Sequence, residues 1–216
     1  MLKSIAAHLP GFIQTELKRA YFRRKIRRNE FSAGEPEFDR LNEFVRAGDT
    51  VIDVGANVGH YTRRMSELVG PAGRVIALEP MATTFALLTS NCADLRNVTL
   101  LNLAASEKAC EVGMELPQFA SGLDNYYRAS ITPGGTSRAM AIALDSLTLE
   151  RLALIKIDAE GHDLEVLRGA SGHLRRLRPR LIVEADAQGK IAEWLVQAGY
   201  RTERREGSPN LVAQAQ

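Results

Sequence analysis

Two groups of residues in this 216-residue chain have the types and spacing to do chemistry. The first is Asp53-Val54-Gly55-Ala56-Asn57-Val58-Gly59, which follows an apolar run and opens a helical pattern. Glycine lets the backbone turn sharply and approach a ligand closely, and asparagine is among the few other residues that tolerate positive φ. Glu79 ends a second apolar run, 26 residues beyond Asp53. In a nucleotide-binding α/β unit, a carboxylate placed there accepts hydrogen bonds from ribose hydroxyls. The second group is Asp158-Ala159-Glu160-Gly161-His162-Asp163, which crowds four ionisable side chains after a later apolar run. Carboxylates and an imidazole this close together suit removal of a proton from a bound hydroxyl. Asp158 and His162 are both candidate bases, with Glu160 in support. For His162 the plainer alternative is a helix N-terminal residue bonded to nearby backbone. Glu184 and Asp186 follow another apolar run and either line the same cleft or cap the next helix.

The first loop differs from two common phosphate cradles. A dinucleotide site needs G-x-G-x-x-G, whose second glycine makes room for pyrophosphate. Here only Gly55 and Gly59 are present, and Asn57 takes the place of that second glycine. No Gly-Lys-Ser/Thr follows, so the loop is not a P-loop either. An acid at Asp53 repels phosphate and suits a ligand carrying an ammonium and a sulfonium. S-adenosyl-L-methionine meets that description. A nicotinamide-dependent oxidoreductase and a noncatalytic interaction module on the same fold remain as rival readings.

The elements that position these residues follow from the apolar pattern. Thr50–Val54, Arg74–Leu78, 98–103, 153–157 and 181–183 read as strands, separated by helical patterns over 58–69, 81–93, 164–177 and 190–198. Continuous apolar strands alternating with helices indicate an α/β fold with a parallel sheet covered on both faces. Residues 200–205 and 211–213 flank Gly207-Ser208-Pro209 and predict a C-terminal antiparallel hairpin. From 111 to 145 the rhythm breaks into a long excursion with short strands at its ends, and Tyr126-Tyr127-Arg128 in it either cover a ligand or lie on the surface.

Average composition excludes collagen-like, disordered and disulfide-scaffold classes. Cys92 and Cys110 lack metal-ligand spacing and suit a reducing, cytoplasmic compartment, and no metal site is expected. No run approaches the ~20 apolar residues of a spanning helix, and His8 and Pro10 interrupt the opening apolar stretch, which argues against a secretory signal. The net charge of +2 conceals an uneven distribution. Residues 1–28 carry eight basic side chains against one acid, Glu16, which makes +7 and leaves −5 for the other 188 residues. Ile13, Leu17, Ala20, Tyr21 and Phe22 repeat at roughly helical spacing among those charges. Two readings stand: attraction to an anionic partner, either the inner face of a membrane or a phosphate-bearing acceptor, and a helix packed on the domain with a solvated basic face. The division expected is residues 1–38 as basic helical segment and linker, 31–38 being linker-like, and 39–216 as the catalytic domain. The acidic body, without an aromatic-basic run, argues against a nucleic-acid partner.

The segments VIDVGANVGHYT, GRVIALEP, LDSL, LIKIDAEGHDLEVLRGA, LRPRLIVEAD and GY…SPNLVA, in that order over about three quarters of the chain, resemble the FkbM-type family of S-adenosylmethionine-dependent methyltransferases. The resemblance implies a Rossmann-like seven-stranded sheet of order 3-2-1-4-5-7-6. It implies transfer of a methyl group to a hydroxyl of a sugar, glycan or natural product. It places the cofactor against Asp53, Gly55, Ala56, Asn57, Gly59, Glu79 and Pro80, with Asp158 near the methionine end and Asn102 to Ala104 facing the adenine. Asp158, His162 and Glu160 are the catalytic candidates. One departure stands out, since the family often has Glu where this chain has Asp163.

Overall fold

The computed structural model describes residues 9–117 and 129–216. Tyr126, Tyr127 and Arg128 lie outside the described residues, as do Lys3 and His8. The first three strands are β1 (Thr50–Val54), β2 (Arg74–Leu78) and β3 (Val98–Leu101). The excursion then forms β4 (Ala104–Ala105), β5 (Cys110–Glu115), β6 (Ser130–Ile131) and β7 (Ser137–Ile142). The chain continues through β8 (Leu154–Ile157), β9 (Arg180–Glu184), β10 (Tyr200–Arg204) and β11 (Asn210–Ala215). One sheet runs β3-β2-β1-β8-β9-β11-β10, and a second holds β4-β7-β5-β6. The large sheet is parallel except for β11, which is antiparallel to both neighbours. The strand order expected from the sequence differs in detail: the four short strands fall between the third and fourth long ones, so along the chain the order reads 3-2-1-8-9-11-10.

Alternate residues of a strand face opposite sides of its sheet, and the two cores divide accordingly. Ile52, Val54, Ile76, Leu78, Ile155, Ile157, Leu181 and Val183 pack on one face with Val166, Leu167, Leu174 and Leu195. Val51, Val75, Leu154, Ile182 and Val212 pack on the other with Tyr61, Met65, Val69, Phe38 and Leu41. Both faces are apolar, so the strand sequences are nearly continuous hydrophobic runs.

The helices are α1 (Gly11–Arg27), α2 (Pro36–Asp39), α3 (His60–Val69), α4 (Ala82–Asn91), α5 (Asp163–Gly169), α6 (Ser171–Leu177) and α7 (Lys190–Gln197). α3 ends at Gly70, whose φ of +64° suits glycine, and Pro71 prevents continuation. The helix expected over 164–177 is two helices meeting at Ala170. Gly169 there passes so close to the Ser106 backbone that a Cβ would lie 2.0 Å from its carbonyl oxygen. β3 stops at Leu101 rather than 103, because Asn102 turns its amide to donate to the carbonyls of Glu79 and Pro80 at 2.8 and 3.0 Å. No helix among the described residues is long and apolar enough to cross a membrane.

The stretch read as linker-like, 31–38, is packed. Phe31 joins Phe22, Val58 and Leu87 in a small apolar cluster. Glu37 is fully buried and its Oε2 accepts from Ser208 Oγ at 2.7 Å. The N-terminal segment therefore docks on the sheet domain through Phe22 of α1 and Phe31 after it, and Arg24 and Arg27 of α1 and the adjoining Arg28 are exposed. Phe22→Ala is expected to lower the unfolding free energy in urea by about 3 kcal/mol in a single transition. An unchanged midpoint would mean that α1 is not part of the cooperative unit.

Candidate active site

Parallel register brings the first charged pair together. Asp53 of β1 stands opposite Lys156 of β8, on the face that Val51 and Leu154 share. Both side chains are buried. Asp53 Oδ2 accepts from Thr62 Oγ1 of α3 at 2.6 Å, while Oδ1 has no partner among the described residues. Burial pushes the Asp53 pKa up, and the Lys156 charge and the Thr62 bond offset this only in part. Lys156 Nζ donates to Asp158 Oδ2 at 2.8 Å and sits 5.0 Å from the centre of the Tyr61 ring. Burial works against its charge, but Asp158 and Asp53 outweigh that and raise the Lys156 pKa.

The loop from Gly55 to Gly59 has the backbone its residues foretell: Gly55, Asn57 and Gly59 all have positive φ, at 72°, 50° and 96°. Gly55 cannot be replaced without movement, because a Cβ there would lie 1.8 Å from the Asp158 carbonyl oxygen. The turn is tied to β2 by the amides of Gly55 and Ala56, which donate to the Leu78 carbonyl. Glu79 at the tip of β2 accepts from the amides of Asn57 (3.0 Å) and Met81 (2.9 Å). Its burial outweighs both bonds and pushes its pKa up to about 7.

Two adjoining hollows open at these strand tips and share Gly55, Asn57 and Asp158. The first is lined by Glu79, Pro80, Leu103, Ala104 and, across the cleft, Met114 and Ile131 of the small sheet. The second, about 290 Å³, is lined by Asp53, Ala56, Lys156 and residues of the N-terminal segment. Asn102 lines neither and instead fixes the Glu79-Pro80 backbone. Gly59 is likewise structural, starting α3 where a Cβ would meet Leu88 at 2.8 Å.

The second sequence group divides. Asp158 faces the shared part of the cleft, and Glu160 lines it beside Asp158. Asp163 accepts from the amides of Ala159 and Gly161 and so shapes the turn. His162 lines none of these hollows: its Nε2 lies 2.9 Å from Ser106 Oγ and its Nδ1 3.7 Å from Glu165. Glu184, at the tip of β9, bonds to Asp158, and with Glu160 these three place ligand oxygens within 4.8 Å of one another. A shared proton relieves that crowding, and a cation would fill the same place. Burial and the neighbouring Asp158 push Glu184 up to about 8. Burial opposes the Asp158 charge too, but Lys156 and the bond from Glu184 hold its pKa below the usual aspartate value. Asp186 lines neither hollow and is exposed, 3.6 Å from Arg204.

Lys156 went unassigned in the sequence, although a lysine inside the apolar run Leu154-Ile155-Lys156-Ile157 is itself a signal, because a buried ammonium requires a carboxylate. Glu35 and Lys25, which line the second hollow, lie outside every motif segment, and His60, inside the first, carried no role.

The cleft fits a nucleoside with a cationic amino-acid tail. Glu79 lines the first hollow, and the Oδ1 of buried Asp53, without a partner among the described residues and facing the second, is suited to receive an ammonium. The family model for the methyltransferase FkbM domain matches residues 53–202. Among solved structures, the chain resembles a methyltransferase FkbM from Methylobacillus flagellatus with a TM-score of 0.59 and 16% identity, over 83% of this chain and 50% of that one. It also resembles the Aeropyrum pernix fibrillarin solved with natively bound S-adenosyl-L-methionine, with a TM-score of 0.50 and 12% identity over 80% and 68%. A protein-L-isoaspartate O-methyltransferase from Methanothrix thermoacetophila is 28% identical over 130 residues, 57% of this chain. The chain spans 59% of the length of that relative.

The Glu184 proton has a consequence for stability. Between its ordinary 4.5 and about 8 the folded chain keeps this proton while the unfolded chain has released it. Stability therefore falls as pH rises through that interval. Glu184→Gln is expected to flatten the fall, read as midpoint temperature against pH from 4 to 9. An identical pH profile in the variant would show that Glu184 does not hold the proton.

Proposed function

The chain belongs to the FkbM methyltransferase family, and from that premise we propose that it transfers the methyl group of S-adenosyl-L-methionine to a hydroxyl of a sugar, glycan or natural product. When bound, that cofactor supplies a methyl group activated by its sulfonium. Asp53 and the 55–59 loop would hold the methionine end, and Glu79 the ribose. Pro80, Leu103 and Ala104 would form the apolar wall for the base.

The observation that carries the hydroxyl reading is the Asp158–Glu184 pair, anchored from below by Lys156. An alcohol becomes a good nucleophile when its proton leaves as the new bond forms, and a base whose pKa lies near the working pH does this best. The pair takes up a proton most readily once its shared one has gone, so turnover should rise as pH approaches 8. Positioning supplies much of the remainder, since a well-oriented pair of reactants gains roughly 7–11 kcal/mol over the same groups free in solution. His162 is a weaker candidate because Ser106 engages its Nε2. A carboxylate acceptor needs no base and would be repelled by Asp158, Glu160 and Glu184. A nucleic acid would meet the same repulsion and the −5 charge of the body. The basic outer face of α1 favours an acceptor bearing phosphate or a lipid link, at the cytoplasmic face of a membrane.

Isotope from methyl-labelled S-adenosyl-L-methionine should enter hydroxyl-bearing glycans, phosphorylated or lipid-linked, and not RNA. Asp158→Asn should lower kcat about a hundredfold or more, while His162→Ala stays within a few-fold. Label in RNA, or equal losses in the two variants, would overturn the acceptor or the base assignment respectively. NADH should give no binding heat.

A further inference from the structure

The hollow beneath α1 holds charges that do not balance. Asp53, Asp158 and Glu35 face it from the body and from the 31–38 segment, against one buried ammonium, Lys156. That ammonium is committed to Asp158. Glu35 Oε2 accepts from Tyr61 Oη at 2.6 Å and from Asn210 Nδ2 at 2.9 Å, so its carboxylate is fixed in the wall. His60 lines the hollow as well, stacked on Phe31 with ring centres 4.1 Å apart. Burial, with the charges of Lys25 and Lys156, brings its pKa down to about 4, so it is neutral.

The amino-acid end of S-adenosyl-L-methionine carries two opposite charges. The unpartnered, fully buried Asp53 Oδ1 answers the ammonium. The α-carboxylate needs a cation, and a hollow with three carboxylates against one spent lysine repels it. Among the described residues one further cation lines the same hollow: Lys25, on the inner side of α1 near its last turn. Among the described residues no ion pair occupies the Lys25 ammonium, which lies 5.6 Å from the centre of the Tyr21 ring. Ser32 and Ala33 complete the wall beside it.

We propose that Lys25 binds the α-carboxylate of the cofactor, so that α1, which lies before the residues matched by the family model, completes the cofactor site rather than merely covering it. The assignment rests on the S-adenosyl-L-methionine reading above. It gives the hollow a complementary charge at each end: Asp53 for the ammonium and Lys25 for the carboxylate. It also gives a role to Lys25, half-buried against the hollow, while Arg24, Arg27 and Arg28 stay in water.

The test compares two ligands that share the adenosine but differ at the tail. Calorimetry on the full chain would measure S-adenosylhomocysteine, which has the amino-acid end, and 5′-methylthioadenosine, which lacks it. Lys25→Met should weaken S-adenosylhomocysteine on the order of tenfold to a hundredfold, the range expected for a lost charge-assisted hydrogen bond. Affinity for 5′-methylthioadenosine should not change, and Lys25→Arg should restore most of the loss. Lys25 is partly exposed, so the fold should survive, and an unchanged melting temperature would verify this. Unchanged S-adenosylhomocysteine affinity in Lys25→Met, or equal weakening of both ligands, would overturn the assignment. Failure of both ligands to bind the wild-type chain would overturn the cofactor reading and this inference together.

Discussion

The site depends on one buried cross-strand juxtaposition, Asp53 of β1 in register with Lys156 of β8. Neither charge is tolerable alone in an interior of low polarity, where an unpaired ion costs several kcal/mol even after relaxation. The parallel register makes them neighbours, and the pairing is extended by Thr62 on one side and Asp158 on the other. A shift of register by one residue would send Asp53 and Lys156 into the opposite core, among Ile52, Ile155 and Leu181. The charges at the strand tips therefore fix the sheet alignment as firmly as the apolar residues do. In return the sheet holds two carboxylates at set positions without help from flexible side chains.

Around that contact the remaining groups divide by depth. The deepest, Asp53 and Lys156, are fixed in the sheet, Lys156 paired with Asp158 and Asp53 bonded to Thr62 through one oxygen. Glu79 and the Asp158–Glu184 pair lie nearer the opening, where Glu79 and Glu184 are raised to about 7 and about 8 while Lys156 and Glu184 hold Asp158 low. Such displaced carboxylates are expensive for folding and are the mark of a site built for function rather than for stability. The Glu79 side of the cleft is closed by the small sheet through Met114 and Ile131, and the opposite side by the N-terminal segment.

Much of this was readable in the residues, and the exceptions have physical reasons. The strands, the glycine loop and the two acid groups follow from local pattern, since strand burial and positive φ each leave a mark at short range. The break at Ala170 arises because Gly169 must clear the Ser106 backbone, an approach between distant segments that no local pattern records. His162 looked like a base from its neighbours in sequence, yet its ring turns to Ser106, fifty-six positions away. The stretch 31–38 has the composition of a linker because Gly34 and Pro36 shape its turns, while its burial comes from Phe31, Glu37 and Phe38. Lys25 was one basic residue among eight until the helix phase placed it on the inner side.

The tie between Glu37 and Ser208 bears on how the protein is made. These partners are 171 positions apart. At a synthesis rate of about 5–20 residues per second, roughly ten to thirty seconds separate the emergence of the two from the ribosome. During that interval Glu37 must stay in water, because burying its charge without Ser208 and Asn210 would be costly. The wall of the hollow it anchors is thus assembled last. A nascent chain would leave the sheet face above Asp53 and Lys156 uncovered until Ser208 and Asn210 emerge and draw the N-terminal segment down over it.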